Sequence, residues 1–318
     1  MKRRSRQIKI VDLIVPCYNE SEVLPLFYSE VCAVIDACPD YEFKIIFVND
    51  GSRDRTLDVL TAIAEHDSRM KYISFSRNFG KEAAMLAGMK YSTGDYIGIL
   101  DADLQHSPDL LIGMLAALEE GYDVAAARRT DRTGEGRIKS WFSKMFYKLG
   151  NSIIDIEIAH GAQDFRVMKR KVVEAVIAMP EYSRFSKGIF TWVGFNTKWF
   201  EHVNRDRAAG KTTWSFFKLF RYAIDGIIGF SAVPLKVSLL FGSLFSLGGI
   251  FYAIYIIIRT MIYGPDVAGY PSIISAIFVI GGLILFSLGV IGEYLARIYM
   301  EVKHRPIFII DETNIDPR

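Results

Sequence analysis

Asp101-Ala102-Asp103 sets two carboxylates two residues apart, directly after the apolar run Tyr96-Ile97-Gly98-Ile99-Leu100. Oxygen donors of this kind suit Mg2+ or Mn2+, which take one or two protein carboxylates and share substrate phosphates. Alone the pair is a weak sign, because acidic residues also follow strands as turns and helix caps. Its company sharpens it. Pro16-Cys17-Tyr18-Asn19-Glu20, Asn49-Asp50-Gly51-Ser52, Ser76-Arg77-Asn78-Phe79-Gly80-Lys81 and Arg128-Arg129 follow other apolar runs in the same way. Asp50 can accept from a base N–H and Glu20 from ribose hydroxyls, while Asp103 and Gln105 can hold a cation that neutralises a diphosphate. Neither G-x-x-x-x-G-K-[ST] nor G-x-G-x-x-G occurs, so side chains and metal must hold the nucleotide.

The elements that must position these groups alternate. Residues 9–15, 43–48, 70–75, 96–100 and 123–127 read as buried strands. Helices are expected over 21–37 with Ser21 as N-cap, from 54 onward, and over 108–119 with Ser107 as N-cap and Pro108 at the first turn. Such alternation predicts an α/β domain with a mainly parallel sheet covered by helices. Ligands then bind beyond the carboxyl ends of the strands, where the candidate groups gather.

Apolar residues make up 51% of the 318 residues, although 23% are charged. The two figures reconcile because the apolar residues concentrate near the C-terminal end. Residues 237–258 and 272–291 carry no charge, and each run is long enough to cross a hydrocarbon core as a helix. Lys218, Arg221 and Lys236 precede the first run, and Arg297, Lys303 and Arg305 follow the second. That asymmetry places the N-terminal region and the tail in the cytoplasm, with the loop 259–271 on the far side. Glu293 is expected to snorkel or to pair with Arg297. Segments 137–149 and 214–230 space Trp and Phe at helical intervals among Lys and Arg, the pattern of helices lying in a headgroup plane. The expected division is a cytoplasmic catalytic domain over 1–229 and a membrane domain over 230–318. A net charge of +2 gives no reason to expect nucleic acid as a partner. Cys17, Cys32 and Cys38 lack metal-ligand spacing and read as reduced thiols, and the basic N-terminus is not followed by a signal-peptide core.

The motifs V-P-C-Y-N-E (15–20), V-N-D-G-S-R-D-R-T (48–56), S-R-N-F-G-K-E (76–82), D-A-D-L-Q (101–105), Q-D-F-R-V-M (163–168) and R-A-A-G-K-T-T-W (207–214) stand in one order ahead of the paired spans. In this the chain resembles glycosyltransferase family 2 with a Rossmann-like GT-A fold, in particular the polyisoprenyl-phosphate glycosyltransferases of the dolichol-phosphate-mannose synthase and GtrB types. The resemblance covers nearly the whole chain. It implies that Pro16, Tyr18, Glu20 and Asp50 bind the nucleoside and that Asp101 supports the nucleotide and metal site. Asp103 and Gln105 would hold Mg2+ or Mn2+. Arg207 and Lys211, helped by Arg128 or Arg129, would receive the phosphate of a polyprenol such as undecaprenyl phosphate. Two departures stand out. Gln163 replaces a glycine common in the family, and Thr212-Thr213 replaces Ser-Lys, which leaves the number of cations at the acceptor phosphate open.

The implied reaction moves a sugar from a nucleotide diphosphate to the lipid phosphate, with inversion, on the cytoplasmic side of a plasma or inner membrane. Asp164 is the candidate acid/base or positioning carboxylate, and its alternative role is a salt bridge to Arg166 or another Arg. Arg77 and Lys81 either touch phosphates or cap the following helix. Glucose from UDP-glucose is the first choice of donor, with mannose, galactose, N-acetylglucosamine and aminoarabinose as alternatives. A processive polysaccharide synthase fits less well, because Gln163-Asp164-Phe165-Arg166-Val167 lacks the Trp of Q-x-x-R-W. A nucleotide-sugar sensor and a lipid flippase are the non-catalytic rivals. Two helices per chain give a flippase little room unless a homo-oligomer supplies more.

Overall fold

The computed structural model describes residues 8–129, 161–179, 181–202, 228–229, 231–264 and 269–316. Among them lie eight strands: β1 Lys9–Cys17, β2 Tyr41–Asn49, β3 Met70–Phe75, β4 Tyr96–Ile99, β5 Val124–Arg129, β6 Ala162–Lys169, β7 Thr197–His202 and β8 Ile310–Thr313. The helices are α1 Leu24–Asp36, α2 Thr56–His66, α3 Lys81–Tyr91, α4 Leu110–Glu119, α5 Arg170–Ile177, α6 Ser186–Trp192, α7 Val233–Tyr263 and α8 Tyr270–Val302.

One sheet holds all eight strands in the order β7-β5-β6-β4-β1-β2-β3-β8. β1 pairs in parallel with β2 and β4, β2 with β3, and β5 with β7, whereas β6 and β8 run antiparallel to their neighbours. The sheet is therefore mixed rather than purely parallel. Period-two alternation divides its side chains between two cores. Val11, Leu13 and Val15 pack with Phe27, Phe47 and Leu115 on one face. Ile14, Ile46 and Ile99 pack with Met85, Met168 and Val172 on the other. Burial on both faces explains why these strands read as continuous apolar runs. From β1 the chain proceeds outward to β2 and β3, then α3 returns it across the sheet to β4 on the opposite side of β1. The strand order thus reverses between β1 and β4, and a crevice opens beyond their carboxyl ends.

Two helix starts differ from expectation. α1 begins at Leu24, not Ser21, because the Glu20 carbonyl accepts the N–H groups of Val23 and Leu24 and forms a turn first. α4 begins at Leu110 after a turn in which Ser107 donates through Oγ to Asp109 at 2.6 Å. β6, β7 and β8 were not expected. The three cysteines are unpaired, and burial pushes the Cys17 thiol well up.

α7 and α8 contain the two apolar runs, extend past them, and are long and apolar enough to cross a membrane. Phe241, Phe251, Ile257, Phe278, Leu285 and Phe286 all stand exposed on them, far more apolar surface than water tolerates. Glu293 lies 3.8 Å from Arg297, the expected i,i+4 pair. Beyond α8 the chain returns to the sheet. β8 pairs with β3, Asn314 Oδ1 accepts the Tyr72 N–H at 2.8 Å, and Phe308 stacks on Phe75 with ring centroids 5.2 Å apart. Upstream, the Tyr182 N–H donates to Glu301 near the end of α8 at 2.8 Å. The end of α8 is thereby fastened to the sheet domain at two points.

Phe308→Ala removes the stack and half-buried ring area, and should cost about 1–3 kcal/mol. Denaturant unfolding in detergent, with hydrogen exchange across 309–313, reads the loss. An unchanged midpoint with undisturbed protection would mean that the tail strand is not an integral part of the sheet.

Candidate active site

The crevice beyond β1 and β4 is built from loops that hold one another. Asn19, in the left-handed region at φ 56°, donates its N–H to Ser52 Oγ at 2.9 Å and accepts the Arg53 N–H through Oδ1 at 2.9 Å. The Glu20 N–H donates to Thr56 Oγ1 at 2.9 Å, and the Ser21 N–H donates to Asp54 at 3.2 Å. Burial opposes the Asp54 charge, but bonds from Thr56 and Ser21 hold this carboxyl below its ordinary range. The V-N-D-G-S-R-D-R-T segment is thus partly a clamp on the V-P-C-Y-N-E loop. Tyr18 is left 40% exposed at its rim, with Pro16 at the end of β1 and Glu20 half-buried.

Asp50 is buried, and its two oxygens accept the N–H groups of Phe79 at 2.6 Å and Gly80 at 2.9 Å. Burial outweighs these bonds and pushes its carboxyl up to about 6. Next to it, Gly51 has φ 62°, and a Cβ there would lie 2.3 Å from the Arg77 carbonyl carbon. Only glycine allows the β2 and β3 loops to approach so closely. Asp50 therefore ties the loops after β2 and β3 together.

The centre of the site is an ion cluster. Lys81, the first residue of α3, sets Nζ 2.5 Å from Asp101 Oδ1 and 2.6 Å from Asp164 Oδ2. Asp101 follows β4 and Asp164 lies on β6, the antiparallel neighbour of β4. Burial works against the charges of Lys81 and Asp164. The two carboxylates nevertheless hold Lys81 protonated above its usual range, and Lys81 with Lys187 holds Asp164 well below the usual carboxylate range. The partner of Asp164 is therefore Lys81, not Arg166. Arg166 is buried, donates to the Gln163 carbonyl at 2.7 Å, and lies 3.8 Å over the Phe190 ring. Burial pushes its guanidinium down to about 10. Glu82 accepts the Ser186 N–H at 3.1 Å and its hydroxyl, fastening the start of α6 beside the cluster.

Asp103 and Gln105 lie on the loop after β4, bent by Leu104 at φ 55°, with the Gln105 N–H 3.2 Å from Asp103 Oδ1. His106 packs against Phe165 and His202, so it belongs to the wall of this loop. Arg128 pairs with Glu201 on the exposed edge between β5 and β7, and the Arg129 N–H donates to the Gly161 carbonyl at 3.0 Å. Arg207, Lys211 and the segments expected at 137–149 and 214–230 lie outside the described residues, apart from a helical fragment at 228–229.

The structure thus places Pro16, Tyr18, Glu20, Asp50, Asp101, Asp103 and Gln105 at or beyond the carboxyl ends of β1, β2 and β4, and Asp164 on β6 beside them. Lys81 and Glu82 are the members of this cluster that sequence reasoning left open or missed. Their signal was S-R-N-F-G-K-E, a strand end followed by a helix start with Gly80 at φ 98°. The donor set fits a hard divalent cation: Asp101, Asp103 and Gln105 offer oxygen and no sulfur or imidazole. Among the described residues no group of three or more His, Cys, Asp or Glu could hold a metal, so a cation here would complete its ligands from water or a bound phosphate.

Comparison with known proteins agrees with this architecture. The family model "Glycosyl transferase family 2" matches residues 12–177, and "GtrB C-terminal hairpin" matches 233–298, the span of α7 and most of α8. An uncharacterized glycosyltransferase of Synechocystis is 41% identical over 95% of this chain and 95% of its own length. The prophage-derived bactoprenol glucosyl transferase of Shigella flexneri is 40% identical over 96% of this chain and 98% of its own. A prophage bactoprenol glucosyl transferase homolog of Escherichia coli is 40% identical over 94% and 98%.

The elevated Asp50 carboxyl has a pH signature. Its folded-state value of about 6 lies above the unfolded value of 3.8, so the folded state binds this proton more tightly. Acidification from pH 7 to pH 5 should then stabilise the protein through this group by about 1 kcal/mol, on top of every other titration. The comparison that isolates it is denaturant unfolding of wild type against Asp50→Asn at both pH values. A difference between the two proteins that stays constant with pH would contradict the assignment.

Proposed function

The chain belongs to glycosyltransferase family 2 and is a glycosyltransferase, and from that premise we propose that it transfers a hexose, glucose from UDP-glucose as first choice, to the phosphate of a membrane polyprenol such as undecaprenyl phosphate. The observation that carries the reading is the oxygen-rich cluster of Asp101, Asp103 and Asp164 in a sheet domain to which the end of an apolar hairpin is fastened at two points. Near full-length similarity to bactoprenol glucosyl transferases supports the lipid acceptor and glucose.

The nucleoside would lie over Pro16, Tyr18 and Glu20, with Asp50 holding the loops beneath it. Asp103 and Gln105, with Asp101 beside them, would hold Mg2+ or Mn2+, whose charge stabilises the departing nucleoside diphosphate. The acceptor phosphate is already an anion, so attack at the anomeric carbon needs no strong general base. Asp164 accordingly serves as a positioning carboxylate, kept ionised by Lys81, rather than as a proton carrier. Arg207 and Lys211 would receive the lipid phosphate and offset its repulsion from the donor. Arg128 and Arg129 would assist; Arg128 would first exchange its exposed and weakly held partner Glu201. A single displacement of this kind inverts the anomeric centre.

Because β8 completes the catalytic sheet after α8, the sheet domain and the tail lie on one side of the hairpin. If the hairpin crosses the bilayer, the loop 264–269 emerges on the other face. Lys236, Lys303 and Arg305 at the domain end favour the cytoplasm for the catalytic side. This supports an integral protein of the plasma or inner membrane, with a catalytic domain over 1–229 and a membrane domain over 230–318.

A donor panel with undecaprenyl phosphate and Mg2+ or Mn2+, read by the mass of the lipid product, tests the reading. UDP-glucose should give a hexosyl lipid phosphate. Product from another donor alone would replace glucose, and no product from any donor would overturn the reaction. Asp103→Ala, or chelation of the metal, should lower turnover by about 100-fold or more, and near-normal turnover would remove the metal from the proposal.

A further inference from the structure

We propose that Lys81 makes cation binding conditional on the donor: its ammonium occupies Asp101 in the resting site and yields that carboxylate when the cation arrives with the nucleotide diphosphate. This rests on the metal-dependent reading of the site given above. The geometry is specific. Lys81 Nζ lies 2.5 Å from Asp101 Oδ1 and 2.6 Å from Asp164 Oδ2, so one ammonium serves two carboxylates on adjacent strands. Its side chain is 41% exposed, against 23% for Asp101 and 19% for Asp164. The lysine side chain is therefore more open to solvent than either carboxylate it bridges.

Three physical consequences follow. Asp101 and Asp103 are the carboxylates of the cation motif, and the first is already neutralised. A lone divalent cation must displace or approach an existing positive charge, which weakens its binding to the empty protein. The diphosphate supplies the negative charge that reverses the balance, so nucleotide and cation bind with positive coupling, each tightening the other by the same factor. Once released from Asp101, the ammonium retains Asp164 as a partner and still shields this carboxylate from the donor and acceptor phosphates. Lys81 is thus a positioning residue with a charge-exchange role, a different part from the helix cap or direct phosphate ligand that its sequence position suggests. Glu82, fastened to Ser186, keeps the start of α3 fixed while the lysine side chain exchanges partners.

The test measures Mn2+ binding to the full-length detergent-solubilised protein by electron paramagnetic resonance, with and without UDP, for wild type, Lys81→Met, Lys81→Gln and Lys81→Arg. Wild type should bind Mn2+ weakly alone and much more tightly with UDP. Lys81→Met and Lys81→Gln should bind Mn2+ without UDP about tenfold more tightly than wild type, and the coupling between UDP and Mn2+ should shrink by a similar factor. Lys81→Arg keeps the charge and should stay close to wild type. Turnover should fall in the neutral variants even as donor-free metal binding improves. A residue that merely braces the site predicts the opposite, with metal binding and turnover falling together. Equal or weaker donor-free Mn2+ binding in both neutral variants would overturn the Lys81 role while leaving the proposed reaction standing. Failure of wild type to take up Mn2+ even with UDP would overturn the metal-dependent reading itself.

Discussion

Two carboxylates brought close at the ends of adjacent strands repel one another unless a counter-charge or a shared proton intervenes. Asp101 follows β4, Asp164 lies on β6, and the antiparallel pairing of those strands brings the two close. Lys81 meets both, and it can do so because α3 returns across the sheet from β3 and starts beside the ends of β1 and β4. The crossover that creates the crevice is the same one that delivers the cation to it. Glu82, the next residue, fastens the start of α6 and with it Lys187, the second positive group acting on Asp164.

Much of what looks like ligand chemistry in the motifs is mutual support between loops. Ser52, Asp54 and Thr56 satisfy backbone N–H groups of residues 19–21, which would otherwise be left without partners on a turn with a left-handed Asn19. Asp50 does the same for Phe79 and Gly80, and Gly51 allows the close approach that makes those bonds reachable. A site that must hold a flexible, highly charged donor without a glycine-rich phosphate loop needs walls that do not move, and these bonds supply them.

The helical hairpin is attached to this frame at two points, both at the end of α8. β8 covers the β3 edge, and its neighbour Ile309 accepts the N–H of Ser76, where the loop leading to Lys81 begins. Tyr182 meets Glu301 a few residues before Ser186 meets Glu82. The end of α8 and the ion cluster are therefore linked through two short stretches of chain.

The sequence by itself determined the alternating frame, the two apolar helices and the identity of the residues at the strand ends. Buried strands and spanning-length helices leave periodic or continuous apolar runs, and β1 to β5 and the paired runs did so clearly. The strands β6, β7 and β8 left no such record. β7 is half-buried and mixed in composition, and β8 is a four-residue edge strand whose partner lies more than two hundred residues earlier. Ser21 and Ser107 had the right chemistry for helix caps, but local turns displaced them by a few residues. Tertiary structure alone decided which charges meet. Lys81, Asp101 and Asp164 lie up to 83 residues apart in the chain, and the attraction between them acts through space, over distances that only the folded crossover sets.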